Sequence, residues 1–188
     1  MRKIIKSYSV LDLVMIAMLA ALATGFKTVA NTLVKLITGP LGIPGGSLAG
    51  GFYMMWLVIG HSVVRKFGVS FMISLVQALV LFTTSAPGSH GVWTFLTYLI
   101  PGLCVDLVFL FARKDNTNIL HFMIAVMLAN VLGTLGSFLL WFRLSLLWLA
   151  FSLTAAALSG SIGGLVAYSV DKGIKRIGLI FKEDGTDQ

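Results

Sequence analysis

Three polar side chains stand inside otherwise apolar stretches of this sequence: Gln77, Asp106 and Asn130. An amide or carboxylate in such surroundings needs a partner, so each must point inward, to another helix or to a bound molecule. Aromatic and hydroxyl residues accompany them toward one end of the apolar stretches: Thr83, Thr84, His90, Trp93, Thr97, Tyr98, Trp141 and Trp148. Aromatic faces stack on planar rings, amides read ring edges, and a carboxylate can pair with a cationic heterocycle. The chemistry on offer is therefore recognition. A planar solute is expected to meet Gln77, Thr84, His90, Trp93, Thr97, Tyr98, Asp106, Asn130 and Trp141. The same polar groups also suit interhelical hydrogen bonding, and the residues alone leave both readings open.

Bond-making chemistry finds no support. There is no G-x-x-x-x-G-K-[ST] phosphate loop, no H-E-x-x-H pair and no G-x-S-x-G elbow. His61, His90 and His121 are far apart, and Cys104 is the single cysteine, so neither a metal site nor a disulfide is expected. Glu183 is the only glutamate, and Asp106 the only carboxylate well inside an apolar run. One carboxylate makes a poor ion relay, so uphill transport would draw its energy from a partner. The expectation is a binding protein without enzymatic activity or cofactor.

The elements that must position these residues are six apolar runs, roughly 11–29, 47–64, 69–84, 92–112, 119–142 and 144–169. Each approaches the ~20 residues that an α-helix needs to cross a bilayer. A hydrophobic fraction of 57% against 11% charged residues, with a mean hydropathy of +0.96, excludes an ordinary soluble domain. The fold class is an all-α integral membrane protein, with 1–188 forming a single domain of six transmembrane helices in a prokaryotic plasma membrane. The first run is longer than a signal-peptide core and lacks a cleavage site, so it is read as a retained helix.

The net charge of +7 marks topology rather than nucleic-acid binding. Arg2, Lys3, Lys6, Arg65, Lys66, Arg113, Lys114, Lys172, Lys175, Arg176 and Lys182 fall at alternate helix ends, on one side; Lys27, Lys35 and Arg143 fall on the other. The positive-inside rule makes both termini cytoplasmic, with anionic lipid headgroups as partners of the basic side.

Local signals refine the runs. Ser9 and Asp12 fit a capping box at the start of the first helix. Asn31–Gly51, rich in glycine and proline yet apolar, reads as a long external loop, either a connector or a lid. Pro101 should kink the fourth helix. A turn is required near 141–145, because Ile119–Ser169 as one helix would measure ~76 Å. Ala156, Gly160 and Gly164 form a close-packing face on the sixth helix. The basic, amphipathic stretch Lys172–Phe181 is expected on the inner membrane surface. Ala17 and Ala21 share one face of the first helix and would let another helix approach closely.

These features together resemble the substrate-binding S-components of energy-coupling-factor (ECF) vitamin transporters, small six-helix proteins with an Ala-x-x-x-Ala pair on the first helix. Here that pair is Ala17 and Ala21. Within the family the chain is most similar to the YkoE-type proteins, linked to thiamine or its hydroxymethylpyrimidine precursor. The stretches that carry this are Gly39-Pro40-Leu-Gly, Gly51-Phe-Tyr-Met-Met-Trp56, Val63-Val-Arg65-Lys66 and Gly102-Leu-Cys-Val-Asp106-Leu-Val-Phe109. That subgroup carries a glutamate in the third helix, where this chain has Gln77. The resemblance implies capture of a vitamin-like solute from outside, beneath the first external loop. It also implies docking through Ala17 and Ala21 onto a membrane coupling subunit bound to two ATPases, and release by toppling of the whole subunit. A self-sufficient facilitator is the competing reading, and a membrane enzyme a distant third.

Overall fold

The computed structural model describes residues 8–38, 45–84, 91–112, 118–142 and 145–184. Six α-helices succeed one another: α1 Val10–Thr38, α2 Gly45–Val64, α3 Val69–Thr84, α4 Trp93–Phe111, α5 Ile119–Ser137 and α6 Leu146–Asp184. A π-helical turn, Phe138–Phe142, extends α5. Five helices are long and apolar enough to cross a membrane, and α3 is a shorter apolar helix of 16 residues. The third run, 69–84, coincides with α3, ~24 Å at 1.5 Å per residue. Apolar side chains ring the outside, among them Leu22, Leu103, Leu110, Leu158 and Ile162, as a lipid-facing surface requires.

Contacts at the chain turns order the bundle. The near end holds the start of α1, the end of α2, the start of α3 and the end of α4. There Ser9 and Asp12 form the expected capping box, with Ser9 N donating to Asp12 Oδ2 over 2.7 Å and Asp12 N to Ser9 Oγ over 3.2 Å. Lys66 closes an ion pair with Asp12. The turn from α2 to α3 places Arg65 at φ 52° and Gly68 at φ 91°. Tyr8 braces it by donating its hydroxyl to the Phe67 carbonyl over 2.6 Å.

Glycines bring α2, α5 and α6 together. Gly160 and Gly164 of α6 lie against the backbone of Met127 and Met123, and a Cβ on Gly160 would stand 2.6 Å from Met127 Cα. Ala156 on the same face is fully buried. This is the face expected from the sequence, and α5 is its partner. On the other flank of α6, Gly163 packs on the backbone of Gly51, leaving no room for a Cβ. Ser159 ties these helices by donating to Leu48 O over 2.5 Å, while Gly51 N donates to Ser159 Oγ over 3.1 Å.

Three expectations need correction. First, Asn31–Gly51 is not one long loop, because α1 continues to Thr38 and α2 already begins at Gly45. The α1 period of buried residues, Ile16, Leu19, Ala20, Ala23, Lys27 and Asn31, simply carries on past the apolar run. At 29 residues α1 is ~43 Å long, more than the hydrocarbon thickness. Second, Lys27, read as one of the charges at the other helix ends, is not exposed there: it is 4% exposed within α1. Third, the stretch from Lys172 is not set apart from the sixth helix, since α6 runs unbroken to Asp184. Asp171, just past the sixth apolar run, is buried and takes hydrogen bonds from Ser62 and from Lys175 (2.5 Å).

Candidate functional site

The expected site residues fall into two sets. Asp106 belongs to the near end. It is fully buried and accepts from Ser70 N at 3.2 Å and Phe71 N at 2.9 Å, while His61 Nδ1 lies 2.8 Å from its Oδ1. It therefore caps the first turn of α3 and locks α2, α3 and α4 together. His61 in turn stacks on Phe109 with ring centroids 4.6 Å apart. Asn130 is likewise committed to structure. Its Nδ2 donates to Ser47 O over 3.2 Å and Ala156 O over 2.8 Å, bridging α2, α5 and α6. A Cβ on Gly50 would collide with this amide, so the small residue makes room for it. Gln77, Asp106 and Asn130 do not hydrogen-bond to one another among the described residues; each has its own surroundings.

The remaining residues lie toward the far end, where α1 ends and α4 begins. Thr84 is exposed and returns its hydroxyl to Val80 O at 2.6 Å. Trp93 is 47% exposed at the mouth of α4. Thr97 is buried, with its hydroxyl on the α4 carbonyls of Thr94 and Trp93. Pro101, inside α4, offers no N–H to the Thr97 carbonyl one turn earlier. His90 and the Trp141 side chain lie outside the described residues.

A polar layer crosses the middle of the bundle, built from register. Ile73 of α3 reaches Gly60 of α2, and Leu19 of α1 meets the same spot. One helical turn further from the near end, ~5.4 Å, the same faces carry Gln77, Trp56 and Ala23. The next turn carries Leu81, Tyr53 and Lys27. Tyr98 of α4 packs with Ala78 and Leu81 at this level. Lys27 spans it: its Nζ lies 4.3 Å from the Tyr98 ring centroid and 5.6 Å from that of Tyr53. Phe26 meets Trp56 edge to face at 6.4 Å. Gln77 is 3% exposed, and its Nε2 has no hydrogen-bond partner among the described residues; Trp56 Nε1 is in the same condition. Buried donors left in this state are uncommon in finished structure and mark a place where a bound molecule can be read.

Gln77 and Tyr98 were thus visible in the sequence, whereas Lys27, Tyr53 and Trp56 were not. Lys27 looked like a loop charge because it stands near the end of the apolar run. The signal that identifies it is the spacing Ala23–Lys27–Asn31, which holds it on the buried stripe of α1.

Residues 11–132 match the family of the ABC-type cobalt transport system, permease component. The chain belongs to this family. No curated protein sequence matches it. Among solved structures it is similar to the crystal structure of an S-component of an ECF transporter, with a TM-score of 0.73 and 19% identity, covering 96% of this chain and 95% of that one. The fold is shared along the whole length. With its apolar helices, this family membership makes the protein a multi-pass membrane protein.

Proposed function

We propose that this permease-family protein is the substrate-binding subunit of an ECF-type importer. It takes a vitamin-sized organic solute into the mid-bundle layer from the far side and hands it over through an ATP-driven partner. The whole-length likeness in fold to an S-component carries this reading. In it, α3 also crosses the bilayer, giving six spans. The basic near end, with Arg65, Lys66, Lys172, Lys175 and Arg176, faces the cytoplasm together with both termini. The far end, where the polar layer lies closest to solvent, faces outward.

Docking falls to α1. Ala17 and Ala21 face outward, and a Cβ on Gly25, four residues further on, would meet nothing within 4 Å. This exposed stripe of small residues suits close approach by a helix of a coupling subunit. Co-expression with the host's coupling subunit and its two ATPases tests the assignment. The wild type should capture that module, while Ala17→Trp and Ala21→Trp lose capture and keep solute binding. Unchanged capture by both variants would refute docking at this face. Solute flux through liposomes containing this chain alone would favour a facilitator instead.

The family description raises cobalt as a second cargo. Among the described residues no group of three or more His, Cys, Asp or Glu side chains could hold a metal ion.

A further inference from the structure

α4 is built in two halves. Its near half is clamped to α3. Asp106 takes the amides of Ser70 and Phe71, and Ser70 Oγ donates onward to Leu57 O of α2 over 3.1 Å. Gly102 lies so close to α3 that a Cβ would stand 2.2 Å from Ser74 Oγ and 2.8 Å from the Ser70 carbonyl. Pro101 marks the junction. It gives no N–H to the Thr97 carbonyl, so this turn lacks the bond that stiffens the rest of the helix. Its surroundings are yielding: a Cβ on Gly133 of α5 would stand 3.3 Å from Pro101 Cγ and 3.1 Å from the thioether end of Met54.

The far half, Trp93 to Ile100, is joined to its neighbours by softer contacts. Phe95 and Tyr98 pack on Phe82, Ala78 and Leu81 of α3, and such apolar contacts are non-directional. Across the bundle, the Tyr98 ring meets the Lys27 ammonium of α1 at 4.3 Å, and the same ammonium lies 5.6 Å from the Tyr53 ring of α2. Asn130 and Ser159 bond α2 to α5 and α6. Lys27 thereby ties the far half of α4 to a frame of α2, α5 and α6. A cation over a ring face is more easily broken and remade than the charge-assisted bonds that Asp106 makes.

We infer, on the reading of this chain as a binding subunit, that α4 is a gate at the far end of the bundle. Its far half swings on Pro101 and is latched by Lys27 against Tyr98, while its near half stays fixed to α3. Trp93 stands eight residues before Pro101, ~12 Å along the helix. A change of ~20° at the proline carries that end ~4 Å away from α2. Tyr98, ~4.5 Å from the hinge along the helix, moves ~1.5 Å. That takes its contact with Lys27 from 4.3 Å to the limit of the ~6 Å over which a cation and a ring attract. Latch and hinge therefore act together: a small rotation releases the contact, and the return remakes it.

The test reads spin-label distances by pulsed electron paramagnetic resonance on the full chain carrying Cys104→Ser, in lipid nanodiscs without added solute. Trp93→Cys on α4 with Leu48→Cys on α2 reports the gate. Leu48→Cys with Leu147→Cys on α6 reports the frame, and Phe111→Cys with Ile174→Cys reports the near end; all five side chains are exposed. The gate pair should show a longer component ~4 Å beyond its main distance, minor in the parent. Lys27→Met should raise that component about threefold or more relative to the main one. Pro101→Ala should remove it, and Lys27→Met with Pro101→Ala should match Pro101→Ala. The frame and near-end pairs should keep one narrow distance throughout. Tyr98→Leu should act as Lys27→Met does, which keeps the latch testable if either variant fails to fold. A gate pair that stays single in both latch variants overturns the inference, as does a long component that survives Pro101→Ala or equal broadening of all three pairs. No solute or coupling subunit enters these readings, so such a failure leaves the binding-subunit reading standing, and that reading is decided by capture of the coupling module.

Discussion

Asp106→Ala should cost this protein its stability and leave its solute affinity intact. The side chain is fully buried and meets three donors: the amides of Ser70 and Phe71, and His61 Nδ1 at 2.8 Å. Alanine removes the acceptor from all of them. At about 1–3 kcal/mol for each buried donor left without a partner, and with the α3 amides partly served by water at the helix end, the expected loss is about 3–6 kcal/mol. Asp106→Asn keeps one acceptor oxygen and should lose about 2–3 kcal/mol. Unfolding by SDS in mixed micelles, followed by tryptophan fluorescence, measures the difference. His61→Ala in the same background should be clearly non-additive, because it removes one of the orphaned donors itself. The folded fraction of Asp106→Ala should bind whatever species the wild type retains with the wild-type dissociation constant. A variant within about 1 kcal/mol of wild-type stability that has lost binding would refute the structural role and return Asp106 to the solute.

Packing and titration give two further outcomes. Gly160→Ala should destabilise by about 1–3 kcal/mol, because its Cβ lands 2.6 Å from Met127 Cα; Gly136→Ala, with nothing within 4 Å, should be neutral or slightly stabilising in the same SDS assay. Burial first, then the nearby Asp106 and Asp12 charges, pushes the Tyr8 phenol above its ordinary value of 10.0. A raised folded value means that the Tyr8 contribution is complete below pH ~10 and is lost as pH rises through the folded value. Wild-type melting temperature should therefore fall more steeply above pH ~10 than that of Tyr8→Phe, and parallel profiles would contradict this.

The sequence made the helices legible because apolar runs of membrane length have few alternative structures. It also showed Ala156, Gly160 and Gly164 as a packing face, since small residues at four-residue spacing state their own geometry. The helix ends were harder. Gly45, Gly46, Gly50 and Gly51 read as loop by propensity, yet all four lie in α2. Tertiary packing overrides propensity here: the backbone of Gly51 touches that of Gly163, and Gly50 accommodates Asn130, so any larger residue would push α2 off α5 and α6. Asp106 and Asn130 were rightly placed inside, and their described contacts follow the interhelical alternative that the residues had left open. Direction is set by which neighbour offers a partner, and those partners, the α3 amides and the Ser47 and Ala156 carbonyls, are backbone groups that no side-chain pattern announces.

Lys27 shows the same difficulty for charge. In a membrane sequence a lysine near the end of an apolar run is normally a topology marker, because a long side chain can reach water from there. The distinction lies in the residues C-terminal to it. Had α1 ended at Val29, Lys27 would sit one turn from solvent. Because α1 continues for 11 residues beyond Lys27 to Thr38, with Asn31 also buried, the ammonium is committed to the interior between Tyr98 and Tyr53. The two ends of the bundle then divide the work. At the near end every described carboxylate side chain has its donors, which fixes α1, α2, α3, α4 and α6 to one another. In the middle, the Gln77 amide and the Trp56 indole present N–H groups that no described residue accepts. In the proposed binding-subunit reading, these two donors are what the level next to the satisfied near end offers a solute.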